Sequence, residues 1–180
     1  MKIQLKILTL SMLDEIYSGF MEFPQREWGD IYDFYNMNKT EFAQYIQRKI
    51  DLGNGINLSE NQTPQTTYIL YVENKPVGFS LLRTENLTEF NKIHGNHLGY
   101  MIFPSERKKG YGKIIVQKSI KVAKKLGYKK ILAQCDIKNI ASAKCLESNG
   151  FVKVPLDNIY AKKINEIGCC LYEQTLNQMI

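Results

Sequence analysis

One segment of the chain, GYMIFPSERKKGYG at Gly99–Gly112, has the residue types and spacing to bind an anionic ligand. An apolar stretch ends at a proline, a charged turn follows, and a basic amphipathic segment begins after the last glycine. Gly110 and Gly112 lack side chains, so a ligand can approach the main chain and positive φ is allowed there. The amides of residues 108–113 would then face one concavity at a helix start, where phosphate oxygens bind well.

The glycine turn has a simpler interpretation, which is a tight turn with a solvated basic face. Two common phosphate-binding motifs are absent from the sequence, namely G-x-x-x-x-G-K-[ST] and a G-x-G-x-x-G that opens a βαβ unit. The net charge of +6 comes from 24 basic and 18 acidic residues. Basic residues concentrate between Arg107 and Lys130, which places the charge next to the candidate anion site.

Periodicity along the chain predicts the elements that position this turn. Alternating or continuous apolar runs predict strands, and apolar residues at helical spacing predict helices. The predicted strands cover residues 2–8, 67–72, 77–83, 97–103, 130–136, 151–154 and 169–176. The predicted helices cover residues 11–23, 39–51, 112–126 and 141–148, and residues 53–66 and 84–95 are predicted as loops. This order indicates a mixed α/β fold with strand–helix–strand units in the C-terminal half.

Bulk properties restrict the class of protein. A chain of 180 residues fits one domain, and no apolar run approaches the roughly 20 residues of a membrane span. The N-terminal residues alternate apolar and polar, so a first strand is favoured over a signal peptide. Four cysteines occur without a C-x-x-C pair or a His/Cys cluster, which argues against zinc and favours free thiols in a reducing cytoplasm. They are Cys135, Cys145, Cys169 and Cys170.

The turn belongs to an ordered set of motifs. The set consists of the strand HLGYMIFP, the turn SERKKGYG, the helix KIIVQKSIKVAKKLGY, the strand KKILAQCD, Asn139, the helix ASAKCLES and Asn149-Gly150-Phe151. It resembles the acyl-CoA-binding core of the GNAT N-acetyltransferase superfamily, and within it a bacterial branch of predicted acetyltransferases whose acceptor is unknown. The resemblance covers residues 67–176 in detail and residues 1–66 in outline.

The resemblance implies a fold and assigns different roles to two parts of the chain. It implies a single N-acetyltransferase domain over residues 1–180, with a mixed, mostly antiparallel central sheet and helices on both faces. The sheet would splay around the acyl-CoA site, which residues 67–176 would form. Residues 1–66 would shape the acceptor side.

The resemblance also assigns residues to acetyl-CoA, the implied co-substrate. The turn amides would hold the pyrophosphate, and the pantetheine arm would pair with the main chain of the preceding strand. Asn139 would contact the pantetheine, although the same side chain could cap its helix, alone or in addition. The implied cofactor-binding residues are Tyr100, Ile102, Arg107, Lys108, Lys109, Gly110, Tyr111, Gly112, Lys113, Asn139 and Ser142.

The expected reaction is direct attack of an acceptor amine on the acetyl group. A backbone N–H near Met101 would polarise the carbonyl. An alkyl amine with a pKa of about 10.4 must lose a proton, and His97 is the preferred base with Asp136 as second choice. His97 could instead only bind a neighbouring loop. No metal is expected, since His94 and His97 have no third ligand near them in the sequence.

One position departs from the family pattern. Many members carry a tyrosine in the helix after the asparagine, placed to protonate the leaving thiolate, and Leu146 stands there. Tyr100, Tyr160, Tyr172 and Ser142 are the candidates to replace it. Cys145 as an acylated nucleophile is disfavoured, because no His/Asp partner is indicated. The departure leaves open a non-catalytic acyl-CoA-binding module of the same fold.

The expected partners are acetyl-CoA and an amine acceptor. Nucleic acid is not expected, because the basic patch coincides with the phosphate site and lacks interleaved aromatic residues. No membrane partner is expected either. A sheet edge near the C-terminus suggests a homodimer.

Overall fold

The computed structural model describes residues 2–176, which form one seven-stranded sheet, a separate two-stranded hairpin and six α-helices. The strands are β1 (Ile3–Ile7), β2 (Arg26–Glu27), β3 (Asp30–Ile31), β4 (Gln65–Val72), β5 (Lys75–Arg83), β6 (Leu98–Ile102), β7 (Lys130–Asp136), β8 (Val152–Lys153) and β9 (Cys169–Thr175). The helices are α1 (Leu13–Met21), α2 (Lys39–Gly53), α3 (Glu89–Ile93), α4 (Tyr111–Lys125), α5 (Ile140–Glu147) and α6 (Ile159–Glu166). Short 3₁₀ helices cover Leu10–Met12 and Pro104–Glu106.

The large sheet has the strand order β1-β4-β5-β6-β7-β9-β8. All neighbouring pairs are antiparallel except β6 and β7, which run parallel. These two strands share one residue pair, Leu98 with Ala133, and then diverge toward their carboxyl ends. The sheet therefore opens at one place, between β6 and β7.

Two apolar clusters cover the two faces of the sheet. The first joins α4 and α5 to the strands and has the fully buried residues Ile115, Ile131 and Leu146 at its centre. The second packs α1 and α2 on the opposite face and is rich in aromatic rings, with Phe20 stacked on Phe79 at 4.6 Å between centroids. This arrangement confirms the predicted mixed α/β class, the mostly antiparallel sheet and the helices on both faces.

The predicted elements agree with the structure within a few residues, and three further elements were missed. They are the β2–β3 hairpin, α3 and α6. The hairpin turns at Trp28 and Gly29, both with positive φ, as a two-residue turn of type I′ requires. The side chains of Thr88 and Asn158 cap α3 and α6 by accepting hydrogen bonds from backbone amides. Within residues 2–176 no helix is long and apolar enough to cross a membrane.

Candidate active site

The opening between β6 and β7 exposes main-chain groups of β6. Arg83 N–H donates to the carbonyl of His97, and Phe103 N–H donates to that of Val77. In an antiparallel pair these bonds recur at every second residue, so the odd-numbered residues of β6 face β5. The amides of Tyr100 and Ile102 therefore face the opening, where an extended ligand can pair with them.

The predicted role of the Met101 amide needs correction. Met101 lies opposite Phe79 in the β5–β6 ladder, and the same alternation directs its N–H toward β5. That donor is used inside the sheet and does not face the opening. The amide of the neighbouring residue, Tyr100, faces the opening, as was expected of the Met101 amide.

The glycine turn follows β6 and leads directly into α4. Lys108 and Gly110 have φ of 63° and 83°, so the turn passes twice through the left-handed region. Gly110 is the N-cap residue of α4, and no side chain caps this helix end. The helix bond from Ile114 N–H to the Gly110 carbonyl leaves the amides of residues 111–113 pointing out of the helix start. Their direction and the helix dipole suit a phosphate group.

Arg107, the first residue of the turn motif, uses its side chain elsewhere. Its two terminal nitrogens donate to both carboxylate oxygens of Glu27 at 2.7 and 2.6 Å. Its Nε donates to the carbonyl of Ile102 at 3.2 Å. The guanidinium thus binds the β2–β3 hairpin and the end of β6. The sequence did not predict the pairing of Arg107 with Glu27, because the two residues are eighty positions apart.

Ser142 and Tyr100 form a hydrogen-bonded pair across the opening. The Tyr100 hydroxyl lies 2.9 Å from Ser142 Oγ and also donates to the Ser142 carbonyl at 3.2 Å. Asn139 caps α5 by accepting from Ser142 N–H at 3.0 Å. Burial raises the pKa of the Tyr100 hydroxyl, so it remains protonated at neutral pH. The pair therefore holds two exchangeable protons between β6 and the start of α5.

The other candidates for the acid have surroundings different from those of this pair. Tyr160 donates to Glu89 and lines a separate cavity beneath α3 and α6. Tyr172 is buried in the first apolar cluster, and so is Leu146, which has no exposed surface. Burial also raises the pKa of the Cys145 thiol, which disfavours a thiolate at that position. The structure therefore brings Tyr100 and Ser142 together, places Tyr160 at a separate cavity and buries Tyr172 in the apolar cluster.

His97 is held by backbone groups on both ring nitrogens. Its Nδ1 accepts from Leu132 N–H at 2.9 Å, so its Nε2 carries the proton and donates to the Glu85 carbonyl at 3.0 Å. The ring is 5% exposed and lines the cavity of about 270 Å³ beneath α3 and α6. Burial lowers its pKa. No ring nitrogen is available to accept a proton from an amine, so this geometry favours a structural role.

Asp136 ends β7 at the mouth of the opening. One carboxylate oxygen accepts from Lys138 N–H at 2.7 Å. The other faces the hairpin tip, where a Cβ placed on Gly29 would lie 3.4 Å from it. Desolvation, and then the charge of Asp136, raise the pKa of the nearby Asp30 carboxyl. Of the two predicted bases, Asp136 is the one placed beside the opening.

Residues 2–176 contain no group of three or more His, Cys, Asp or Glu side chains arranged to hold a metal ion. The four cysteines are free thiols.

Comparison with known proteins agrees with this architecture. Residues 7–152 match the acetyltransferase (GNAT) domain family. No curated protein matches the chain.

Several solved structures share the fold at low sequence identity. RimL, a ribosomal-protein alpha-N-acetyltransferase solved with coenzyme A, is 15% identical with a TM-score of 0.70, over 98% of this chain and 96% of its own. The microcin self-immunity acetyltransferase MccE, solved with acetyl-CoA and AMP, is 17% identical with a TM-score of 0.68, over 97% and 93%. Spermidine N-acetyltransferase from Vibrio cholerae, a dodecamer, is 15% identical with a TM-score of 0.59, over 98% and 94%. With the family match spanning most of its length and the splayed sheet in place, the chain belongs to the GNAT acetyltransferase family.

Proposed function

We propose that this protein is an acetyl-CoA-dependent N-acetyltransferase that acetylates a primary amine by direct transfer. The observation that carries the proposal is the opening between β6 and β7, which leads to the uncapped start of α4. Extended main chain beside a helix N-terminus suits a ligand with an amide-containing arm and a pyrophosphate. Acetyl-CoA has both and supplies an acetyl group activated as a thioester.

The residues proposed to hold acetyl-CoA fall into two groups. The amides of Tyr100 and Ile102 would pair with the arm, beside Asn139 and Ser142. The turn from Lys108 to Lys113 would bind the pyrophosphate through its amides, with lysine charge close by. Arg107 would contribute through its main chain, since its guanidinium is paired with Glu27.

Proton transfer is proposed to involve Asp136 and the Tyr100–Ser142 pair. Asp136 would take a proton from the acceptor ammonium, directly or through water, because it ends β7 beside the opening. Ser142, held by Tyr100, would pass to the leaving sulfur the proton that the attacking nitrogen releases as the tetrahedral intermediate collapses. The Tyr100 amide would polarise the acetyl carbonyl in place of Met101.

Two carboxylates at the mouth of the opening favour one class of acceptor. Asp30 and Asp136 both lie there and would favour a cationic amine over a neutral or anionic one. The solved neighbours are named as a ribosomal-protein alpha-N-acetyltransferase, a microcin self-immunity acetyltransferase and a spermidine N-acetyltransferase, so protein N-termini and polyamines belong in an acceptor panel. We also propose that the protein forms a homodimer, and light scattering would test this by measuring its mass in solution.

A non-catalytic acyl-CoA-binding module is the second candidate. Leu146 supports it, because it replaces the tyrosine that many GNAT members use as the acid, and it is completely buried. The two candidates predict the same binding and differ in turnover.

The test has two stages. Isothermal titration with acetyl-CoA and with CoA measures binding, and release of free thiol in the presence of spermidine, peptide N-termini and lysine peptides measures transfer. Binding with amine-dependent thiol release supports the enzyme. Binding without release from any amine supports the module, and absence of binding contradicts both.

A further inference from the structure

The β2–β3 hairpin lies across the open end of the gap between β6 and β7. On the β6 side, Glu27 binds the guanidinium of Arg107, which also binds the last carbonyl of β6, at Ile102. On the β7 side, the tip at Gly29 lies beside the carboxylate of Asp136. The hairpin therefore spans the two strand ends that diverge, Ile102 on β6 and Asp136 on β7.

The Arg107–Glu27 contact has the geometry of a strong ion pair. Both terminal nitrogens engage both carboxylate oxygens, and the guanidinium lies 5.6 Å from the ring centroid of Phe23. The two side chains are 36% and 20% exposed, so solvent screens the pair only in part. A lysine could not reproduce this planar two-point contact.

A second contact joins the segment before the glycine turn to the N-terminal part of the chain, residues 1–66, which is the proposed acceptor side. Ser105 donates to Glu22 through both its N–H and its hydroxyl, each at 2.8 Å. Glu22 follows α1, and the hairpin begins four residues later. Two carboxylates therefore bind the segment just before the glycine turn. Glu22 binds Ser105 and Glu27 binds Arg107, and both carboxylates lie in the chain between the end of α1 and the tip of the hairpin.

We propose that Arg107 is a positioning residue, which couples the acyl-CoA turn to the acceptor-side hairpin through Glu27 and does not bind phosphate with its side chain. The inference rests on the proposed function for the location of the acyl-CoA site. Arg107 is adjacent in the chain to Lys108, where the turn begins. A ligand that orders the turn therefore also orders the guanidinium, and with it the hairpin.

Hydrogen exchange in the presence and absence of CoA tests the coupling without knowledge of the acceptor. In the wild type, CoA should slow exchange in residues 108–116 and also in residues 24–35. In Glu27→Gln and in Arg107→Gln, the slowing at 108–116 should remain, and the slowing at 24–35 should be lost. Asp14→Asn, which breaks an exposed ion pair with Lys39 between α1 and α2, is the matched control and should behave as wild type.

CoA affinities of the single and double variants separate positioning from phosphate binding. Arg107→Gln in the Glu27→Gln background should change the CoA dissociation constant by less than about twofold, because the coupling is already lost. A further loss of about tenfold or more would show that the guanidinium binds the ligand itself, and would overturn the inference. Arg107→Lys should retain only part of the coupling.

The outcomes distinguish this inference from the proposed function. If CoA slows exchange at 108–116 in the wild type but not at 24–35, the coupling is wrong and the acyl-CoA site stands. If CoA slows neither segment, the proposed function fails and the coupling falls with it. Thermal unfolding of each variant confirms that a lost effect does not come from a lost fold.

Discussion

The Tyr100 hydroxyl on β6 lies 2.9 Å from Ser142 Oγ on α5 and also donates to the Ser142 carbonyl, so one side chain joins the two sides of the opening. Burial raises the pKa of Tyr100, so its hydroxyl keeps its proton at neutral pH and can orient the serine hydroxyl. We propose that this pair supplies the acid that Leu146 cannot supply.

Removing either hydroxyl should slow transfer more than it weakens binding. We expect Ser142→Ala and Tyr100→Phe each to lower kcat by about ten- to a hundredfold, the range for a lost proton donor. Acetyl-CoA affinity by titration should change far less. Tyr128→Phe is the control, because it loses a hydroxyl bonded to the Arg83 carbonyl away from the opening. An unchanged kcat in both test variants would exclude the pair as the acid.

Gly110 should be required for acyl-CoA binding beyond its role in the backbone. Gly110 and Gly127 flank α4, and both have positive φ in open space, where an added Cβ would meet no atom within 4 Å. Each substitution by Asp should cost about 1 kcal/mol for the positive φ, and the helix dipole should reduce this loss at Gly110 and increase it at Gly127. Only Gly110→Asp places a carboxylate at the helix start, so only it should weaken acetyl-CoA binding, by about tenfold or more. Equal affinities in the two variants would contradict the turn as the pyrophosphate site.

Asp136→Asn should reduce turnover with little effect on acetyl-CoA affinity. The amide oxygen can still accept from Lys138 N–H, so the local turn should persist. We expect kcat to fall by about a hundredfold, as for loss of a general base. Steady-state kinetics with the best amine provide the measurement, and Asp157→Asn on an exposed loop is the control. Full activity of Asp136→Asn would remove it as the base.

His97 should make the free energy of unfolding depend on pH. Burial lowers its pKa in the folded state below the ordinary 6.5, so protonation favours the unfolded chain. This contribution is fully present above about pH 6.5 and is lost as the pH falls below it. Urea unfolding at pH 7.5 and pH 5 should show a loss in wild type that His97→Gln reduces.

The same variant tests the structural role of His97. His97→Gln should retain turnover within about threefold, because a glutamine oxygen can still accept from Leu132 N–H. The exposed His94 serves as control, and His94→Gln should keep the pH-dependent loss of stability. A collapse of kcat in a well-folded His97→Gln would restore the histidine as the base.

Gly19 should tolerate no side chain, because α1 packs directly on Phe103. A Cβ at residue 19 would lie 2.4 Å from Cδ2 of that ring, so Gly19→Ala should cost about 1–3 kcal/mol. For a domain of this size, the melting temperature should fall by about 2–4 °C per kcal/mol. Gly53→Ala at the end of α2 meets only ordinary contacts and should be neutral. An unchanged melting temperature of Gly19→Ala would contradict this packing.

Elements whose pattern is local were predictable from the sequence. In α4, lysines and apolar residues recur at helical spacing, and in β7 polar residues bound an apolar run. The predicted ends of both elements therefore agree with the observed ends to within one residue. The β2–β3 hairpin was missed because its two strands have two residues each. Such a short ladder is stable only with long-range contacts, here the pairing of Glu27 with Arg107.

The order of the motifs follows from the amino-acid sequence alone, because the turn, the helix start and Asn139 depend on neighbours in the chain and on glycine and capping chemistry. The contacts of the side chains follow from tertiary packing. The ring nitrogens of His97 meet backbone groups of two other segments, and the Arg107 guanidinium meets a carboxylate eighty residues away. These partners are set by how the strands pack and diverge, which no local pattern encodes.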